Sequence, residues 1–379
     1  MRCVTQRECF WLGSSIVRVM ARVASQMLSV CVLALLAWHT AAAQEAGEPL
    51  GPVEAVMEPR GATGPVARRF PQPSRPSDAG KPTEVWLQIY VLDVDDVNSA
   101  EQNFGASVYY EARWMSAEEK HPGPMPVFKD IAHIWTPSLT IANQQMAWDS
   151  YPDFVEIAPD GMVTYRQRTW ARFSQSLNLR NFPFDKQILT IHLVSANETN
   201  DEVTFLPLRN APAGIAQHFS VPDFRVIGWM SGPAAFPSEK VEGAVAGFRL
   251  EIEVKRRPMF YMIKIVLPLV LIVMMSWIPR WIDPANVATN VGVSATAFLT
   301  LVAYLFATNV LLPRVSYVTR MDLFILLSML MVFIALVQTV VSTVLVRNHE
   351  LRLAQTLDWW ARIVYPVALA LVLLFALVI

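Results

Sequence analysis

The sequence predicts an all-β sandwich followed by a bundle of four membrane-spanning helices. Three observations carry this: an export-type start, a middle stretch of short alternating strands, and four long apolar runs crowded after Pro258.

The chain has 379 residues, a net charge of -1 and 53% hydrophobic residues. That length suits about two or three domains. The charges balance and no long basic stripe occurs, so nucleic acid is not an expected partner.

At the start, Arg18 and Arg22 precede the apolar run Met27 to Trp38, which ends in Ala41-Ala42-Ala43 before Gln44. Charged, then apolar, then small is the order of a cleavable export signal, with the cut after Ala43. The expected signal is therefore 1–43, with Met1 and Met20 both consistent as starts; a retained anchor helix is the alternative. The three cysteines, Cys3, Cys9 and Cys31, all fall inside it. The processed chain would carry no thiol, hence no disulfide and no Cys-based metal site. Cys31 follows Leu28-Ser29-Val30, which lacks the small residue that lipidation requires just before its cysteine.

Residues 44–82 are rich in Pro, Gly, Ala and Ser without a periodic apolar pattern, and are expected to form a flexible leader. From 83 to 257 the pattern changes to short strands. Val85 to Val91 is β-branched and aromatic, and Phe104 to Trp114, Met162 to Phe173 and Gln187 to Val194 follow. Phe248 to Lys255 alternates apolar with charged, as a half-buried strand does. Many short strands with little helix point to a β-sandwich.

Four apolar segments, 258–281, 284–310, 321–346 and 356–379, are each long enough to cross about 30 Å of hydrocarbon as helices. An exported sandwich places both termini outside. Arg280, Arg347 and Arg352 then face the cytoplasm, while Arg314 and Arg320 fall in the outer loop. The third and fourth segments are joined by about ten residues.

The second segment is unusually polar, with Asn286, Thr289, Asn290, Gly292, Ser294, Thr296, Thr300 and Thr308. Polar groups at membrane depth face protein or water. Gly292, Thr296, Leu299, Ala303, Phe306 and Val310 share one helical face. Ringed about an axis, that face is a pore with a small polar inner end and an apolar constriction at Leu299 and Phe306. The same small residues also suit close helix packing, so this helix alone leaves both readings open.

Arg180-Asn181-Phe182-Pro183-Phe184-Asp185-Lys186-Gln187 resembles the signature loop of the Cys-loop receptors, the pentameric ligand-gated ion channels. Gln175 and Leu189 stand at the two cysteine positions, as in the cysteine-free bacterial branch. Trp135-Thr136-Pro137-Ser138 is similar to the family's Trp-x-Pro-Asp segment. Arg256-Arg257-Pro258 with Tyr261 resembles its domain junction, Asn290 to Thr300 its pore helix, and Pro313-Arg314 with Tyr317 the loop after it.

The resemblance implies an immunoglobulin-like periplasmic sandwich that binds a ligand between neighbouring subunits of a homopentamer and opens a central pore in the inner membrane. It implies domain coupling through Asp95, Pro183, Phe184, Asp185, Arg256 and Pro313. Asp185 would pair with Arg256, and the turn Asp93-Val94-Asp95-Asp96 would press on the loop Pro313 to Tyr317. For the ligand, Tyr109 matches a cage position on the complementary face. Ala142 and Ala196 stand where aromatics are frequent, and Phe236 contributes from the loop between Trp229 and Phe248. This poor cage argues against a quaternary amine. Arg166, Arg168 and Arg172 on one strand face would suit an acidic ligand, or form a solvated face. Protons acting on carboxylates or on His133, His192 and His218 are another trigger.

The expected partners are thus a small-molecule agonist or protons, permeant ions, membrane lipids and further copies of the chain, with no cofactor and no metal. For selectivity, Asp283 and Asn290 are the candidates at the inner mouth. Five Asp283 carboxylates would favour cations, and the stretch with Val291, Gly292, Thr296 and Thr300 leans toward anions; cations are the expectation. Asp283 before Pro284 also reads as a helix N-cap. A non-conducting membrane-anchored sensor and a membrane enzyme are the rival classes. Against the enzyme, the processed chain has no Cys, no His-Glu-x-x-His and no Gly-x-Ser-x-Gly.

Overall fold

The computed structural model describes residues 74–76, 81–208, 214–237 and 244–377. The expected signal and most of the expected leader lie outside the described residues.

In chain order the strands are β1 (Thr83–Asn98), β2 (Asn103–Met115), β3 (Val127–Asp130), β4 (Leu139–Ile141) and β5 (Gln144–Asp149). Next come β6 (Phe154–Ile157), β7 (Met162–Ser174), β8 (Lys186–Thr199) and β9 (Val203–Pro207). β10 (Gly214–Ile215), β11 (Phe224–Pro233), β12 (Phe236–Pro237) and β13 (Ala244–Arg256) complete the set. One sheet runs β10-β1-β2-β7-β6-β3, with β5 on β7 and β9 on β1. The other runs β11-β13-β8-β4, with β12 on β13.

Alternation makes this a sandwich. In β13, Phe248, Leu250, Ile252 and Val254 are buried while Arg249 and Lys255 face out. They share one core with Leu87 and Ile89 of β1, Trp114 of β2 and Phe173 of β7. Phe104 stacks on Phe173 at 4.8 Å, and Trp114 meets Trp135 edge to face at 5.9 Å.

The stretch Asp93-Val94-Asp95-Asp96 is not a turn. It lies within β1, whose register against β2 shifts between Val91 and Asp93 and again between Val94 and Asp96. The acidic side chains find partners there: Asp93 accepts from Ser220, and Asp95 accepts from Trp170 Nε1. The chain reverses after Asn98, whose Oδ1 accepts from the Ala100 and Glu101 amides.

Four helices follow, each long and apolar enough to cross a membrane: α1 (Met259–Trp281), α2 (Val287–Thr308), α3 (Arg320–Arg347) and α4 (Leu351–Leu377). α1 contains a π turn at Met262–Val266 and closes with a 3-10 turn at Ile278–Trp281. α3 begins with a capping box between Thr319 and Asp322. Two boundaries differ from expectation. α2 begins at Val287 because Asp283 caps a preceding turn, accepting from the Ala285 amide, and does not cap the helix. α4 begins at Leu351, since Leu351 to Gln355 are good helix formers despite their polarity, so only residues 348–350 connect it to α3. Arg280 does not face the cytoplasm either; it is 1% exposed, inside the bundle.

Candidate functional site

The joint between sandwich and helices is built on Arg256, the last residue of β13. Its Nε donates to Asp185 Oδ1 at 2.8 Å and its Nη2 to Asp185 Oδ2 at 3.2 Å. Nη2 also reaches Ser99 Oγ at 2.8 Å, and the guanidinium lies over the rings of Phe182, Phe224 and Tyr261. Gln187 Nε2 donates to Asp185 Oδ2. Pro183 and Phe184 follow Phe182 in this loop, which has a cis Phe182–Pro183 bond.

A second tie crosses to the loop after α2. The Leu179 amide donates to Tyr317 Oη at 2.8 Å, the Arg180 guanidinium lies 5.7 Å from the Tyr317 ring centre, and the Arg320 amide donates to the Arg180 carbonyl. Of the expected coupling residues, Asp185 and Arg256 meet directly. Asp95 of β1 accepts from Trp170 Nε1 of β7, and Ser99 is the residue after β1 that bonds to Arg256. Tyr317, rather than Pro313, carries the hydrogen bonds of the outer loop.

α2 divides cleanly into two faces. Ser294, Ala297, Leu301 and Thr308 are buried against the other helices. Gly292, Thr296, Leu299, Ala303, Phe306 and Val310 are all exposed on the isolated chain. Leu299 is 69% exposed, Phe306 77% and Val310 87%, so the most apolar residues of this face have no cover within their own subunit. Thr296 and Thr300 return their hydroxyls to their own helix, to the Gly292 and Thr296 carbonyls. Tyr304 instead donates outward to the Lys264 and Ile265 carbonyls in the π turn of α1. At the inner end Asp283 is exposed. Asn290 does not share that exposure: it is buried, and its Nδ2 donates to the Asp283 carbonyl at 3.1 Å. It fastens the turn instead of facing a mouth.

The expected ligand residues fall on two sheets. Tyr109 lies on β2, directly opposite Arg168 of β7. Its hydroxyl donates to Glu111 at 2.8 Å, and burial together with that carboxylate pushes the phenol up to about 12. Burial also works against the Glu111 charge, but Tyr109, Arg113 and Arg166 outweigh it and hold its carboxyl below the usual range. Arg166 is therefore occupied, by Glu111 and Glu156, and Arg172 lies 3.8 Å from Glu101. Arg168 is exposed and, among the described residues, has no acidic partner.

Ala196 and Phe236 belong to the other sheet, and Ala142 lies in the turn just after its strand β4. The Ala142 amide donates to the His192 carbonyl, and the His192 ring lies 5.3 Å from that of Phe236. Burial and Arg249 lower the His192 pKa. Ala196 is exposed, its amide on the Ser138 carbonyl. One chain thus keeps Tyr109 apart from these three. Among the described residues no cluster of metal-ligating side chains forms.

The sequence matches the neurotransmitter-gated ion-channel ligand binding domain over residues 65–258 and the neurotransmitter-gated ion-channel transmembrane region over residues 265–365. The chain belongs to the neurotransmitter-gated ion channels. A similar curated protein is the gamma-aminobutyric acid receptor subunit beta of Caenorhabditis elegans, 25% identical over 276 residues. The match covers 70% of this chain and 50% of that protein, so the chain spans about half the length of the relative it matches. As a member of this channel family the protein is a multi-pass membrane protein and not an enzyme, with its binding domain in the sandwich and its membrane region in α1 to α4.

Sequence reasoning missed a buried polar cluster: Arg280, Thr339, Ser342 and Asp358 gather between the helices beside Ser294. Its one visible signal is Asp358 inside an apolar run, since an ionisable residue in a membrane segment marks a protein-facing position.

Proposed function

We propose that the protein is one subunit of a homopentameric, ligand-gated channel whose ion path is lined by Gly292, Thr296, Leu299, Ala303, Phe306 and Val310. The carrying observation is the uncovered face of α2: Leu299, Phe306 and Val310 stand exposed while the helix's opposite face is packed. Five such faces around an axis cover one another and leave an apolar constriction that closes by excluding water.

The proposed ions are cations, because Asp283 is the exposed acid before α2 and five copies ring the inner mouth with negative charge. The proposed agonist is a small molecule with an acid group, held between Tyr109 and Arg168 of one subunit and the patch of Ala142, Ala196 and Phe236 on its neighbour. Arg168 supports this because it lies across from Tyr109 and, among the described residues, has no acidic partner. The relative named above is a receptor subunit for gamma-aminobutyric acid, a ligand of that class. Protons are the weaker candidate, since burial keeps His192 neutral until the pH falls below the ordinary histidine range.

The test is the reversal potential of current through membranes carrying Leu299→Ser under a sodium chloride gradient. A hydroxyl at the constriction favours the wetted state without any agonist. A leak with a cation-side reversal supports the proposal, and an anion-side reversal removes the selectivity assignment alone. Silence from an assembled protein favours a non-conducting sensor.

A further inference from the structure

Beneath the proposed constriction, the bundle buries a full positive charge. Arg280 is 1% exposed at the inner end of α1, and a charge in such a place is costly unless its donors are met. Nη1 donates to Thr339 Oγ1 at 2.9 Å and Nη2 to the Ala335 carbonyl, both on α3, while Nε is buried without a hydrogen-bond partner among the described residues. Thr339 sends its own proton to the Ala335 carbonyl at 3.0 Å. Thr339 Oγ1 also shares a hydrogen bond with Ser294 Oγ of α2 at 2.8 Å, so one hydroxyl joins Arg280, α3 and the pore helix.

Ser294 is exceptional on its helix. Thr296, Thr300 and Thr308 all donate back to carbonyls of α2, whereas the Ser294 hydroxyl bonds across to α3. At 3.6 residues per turn it sits about 160° around from both Gly292 and Thr296, almost behind the proposed pore face. We propose that Arg280 is a positioning residue for the pore helix, fixing the depth and rotation of its inner half through Thr339 and Ser294.

α4 completes the holder. Arg362 Nε donates to the Arg280 carbonyl at 2.8 Å, and its guanidinium lies 4.9 Å from the Trp281 ring centre. One turn away on α4, Asp358 accepts from Ser342 Oγ and Gln338 Nε2 of α3. Ala335, Gln338, Thr339 and Ser342 form one stripe of α3, so guanidinium and carboxylate are seated a turn apart on the same surface. Asp358 is the acid seated nearest this stripe through its own hydrogen bonds to α3.

The functional arm of this inference rests on the pore reading, so the test separates the two. Removing Arg280 itself threatens assembly; Thr339 is therefore the residue to change. In Leu299→Ser channels under sodium chloride, Thr339→Val keeps the shape and loses the hydroxyl. It should change the open probability about fivefold or more, and Ser294→Ala should do the same. Thr339→Ser keeps the hydroxyl, loses a methyl, and should stay within about twofold of the parent. Combining Thr339→Val with Ser294→Ala should add nothing to either alone. In parallel, hydrogen exchange of the Val287 to Leu301 amides, in lipid discs and without Leu299→Ser, should quicken in Thr339→Val and not in Thr339→Ser. Equal behaviour of the Val and Ser variants, or additive effects of the pair, would overturn the inference. If the Leu299→Ser parent carries no current, the pore reading fails and the exchange measurement alone judges Arg280.

Discussion

Asp185 and Arg256 meet in a two-point ion pair, 2.8 Å and 3.2 Å, at the end of the strand that runs into the first membrane helix. Their side chains are 1% and 3% exposed. The rings of Phe182, Phe224 and Tyr261 cover the guanidinium. Pairs this dry are costly to break from one side, because the remaining charge stays buried. Asp185→Asn and Arg256→Met should each destabilise the protein by about 3–5 kcal/mol, and the double replacement should cost less than their sum. Thermal unfolding of the four proteins in detergent checks this. Additive losses would mean that the pair is not a unit.

Asp283→Asn, made in Leu299→Ser channels, should move the reversal potential toward zero if the acid ring sets cation preference. It should leave unfolding temperature nearly unchanged, since an Asn side chain still accepts the Ala285 amide. An unchanged reversal potential would assign selectivity to other groups.

Tyr317→Phe removes the acceptor of the Leu179 amide and costs about 1 kcal/mol locally. Hydrogen exchange at Leu179 should therefore quicken about fivefold, with β1 and β13 unaffected. Unaltered protection at Leu179 would show that the loop is held by other contacts.

The carboxyl of Glu111 lies below its ordinary value, so its stabilising effect is present above that value and is lost as pH falls through the folded one. Between about pH 5 and pH 3 the parent should lose more thermal stability than Glu111→Gln. Parallel curves would sink the assignment.

Local pattern made the fold legible. The apolar and charged alternation at Phe248 to Lys255 foretold β13, and the lengths of the apolar runs foretold four helices. The exposed face of α2 was readable from helical spacing, and Asp185 with Arg256 from resemblance. Other features depend on partners distant in sequence. The Asp93 to Asp96 stretch has turn-like composition, but Ser220 and Trp170 hold it as strand. Asn290 looked outward by its depth in the membrane, yet its amide is drawn to the Asp283 carbonyl. Arg280 reads as a loop charge by position, while Thr339 and Ala335, far along the chain, take two of its donors inside the bundle. Arg168 is distinguished from Arg166 only once Glu111 and Glu156 are seen to occupy the latter.

Tyr304 holds the Lys264 and Ile265 carbonyls in the π turn of α1, while Ser294 bonds to Thr339 lower down. The second helix is thus moored at two heights to two different neighbours. Between the moorings Ala297 and Leu301 stay buried against the other helices, while Leu299 stands exposed on the other side. Carrying Leu299 sideways therefore means moving those packed residues with it, and Tyr304→Phe should loosen the outer end of the helix.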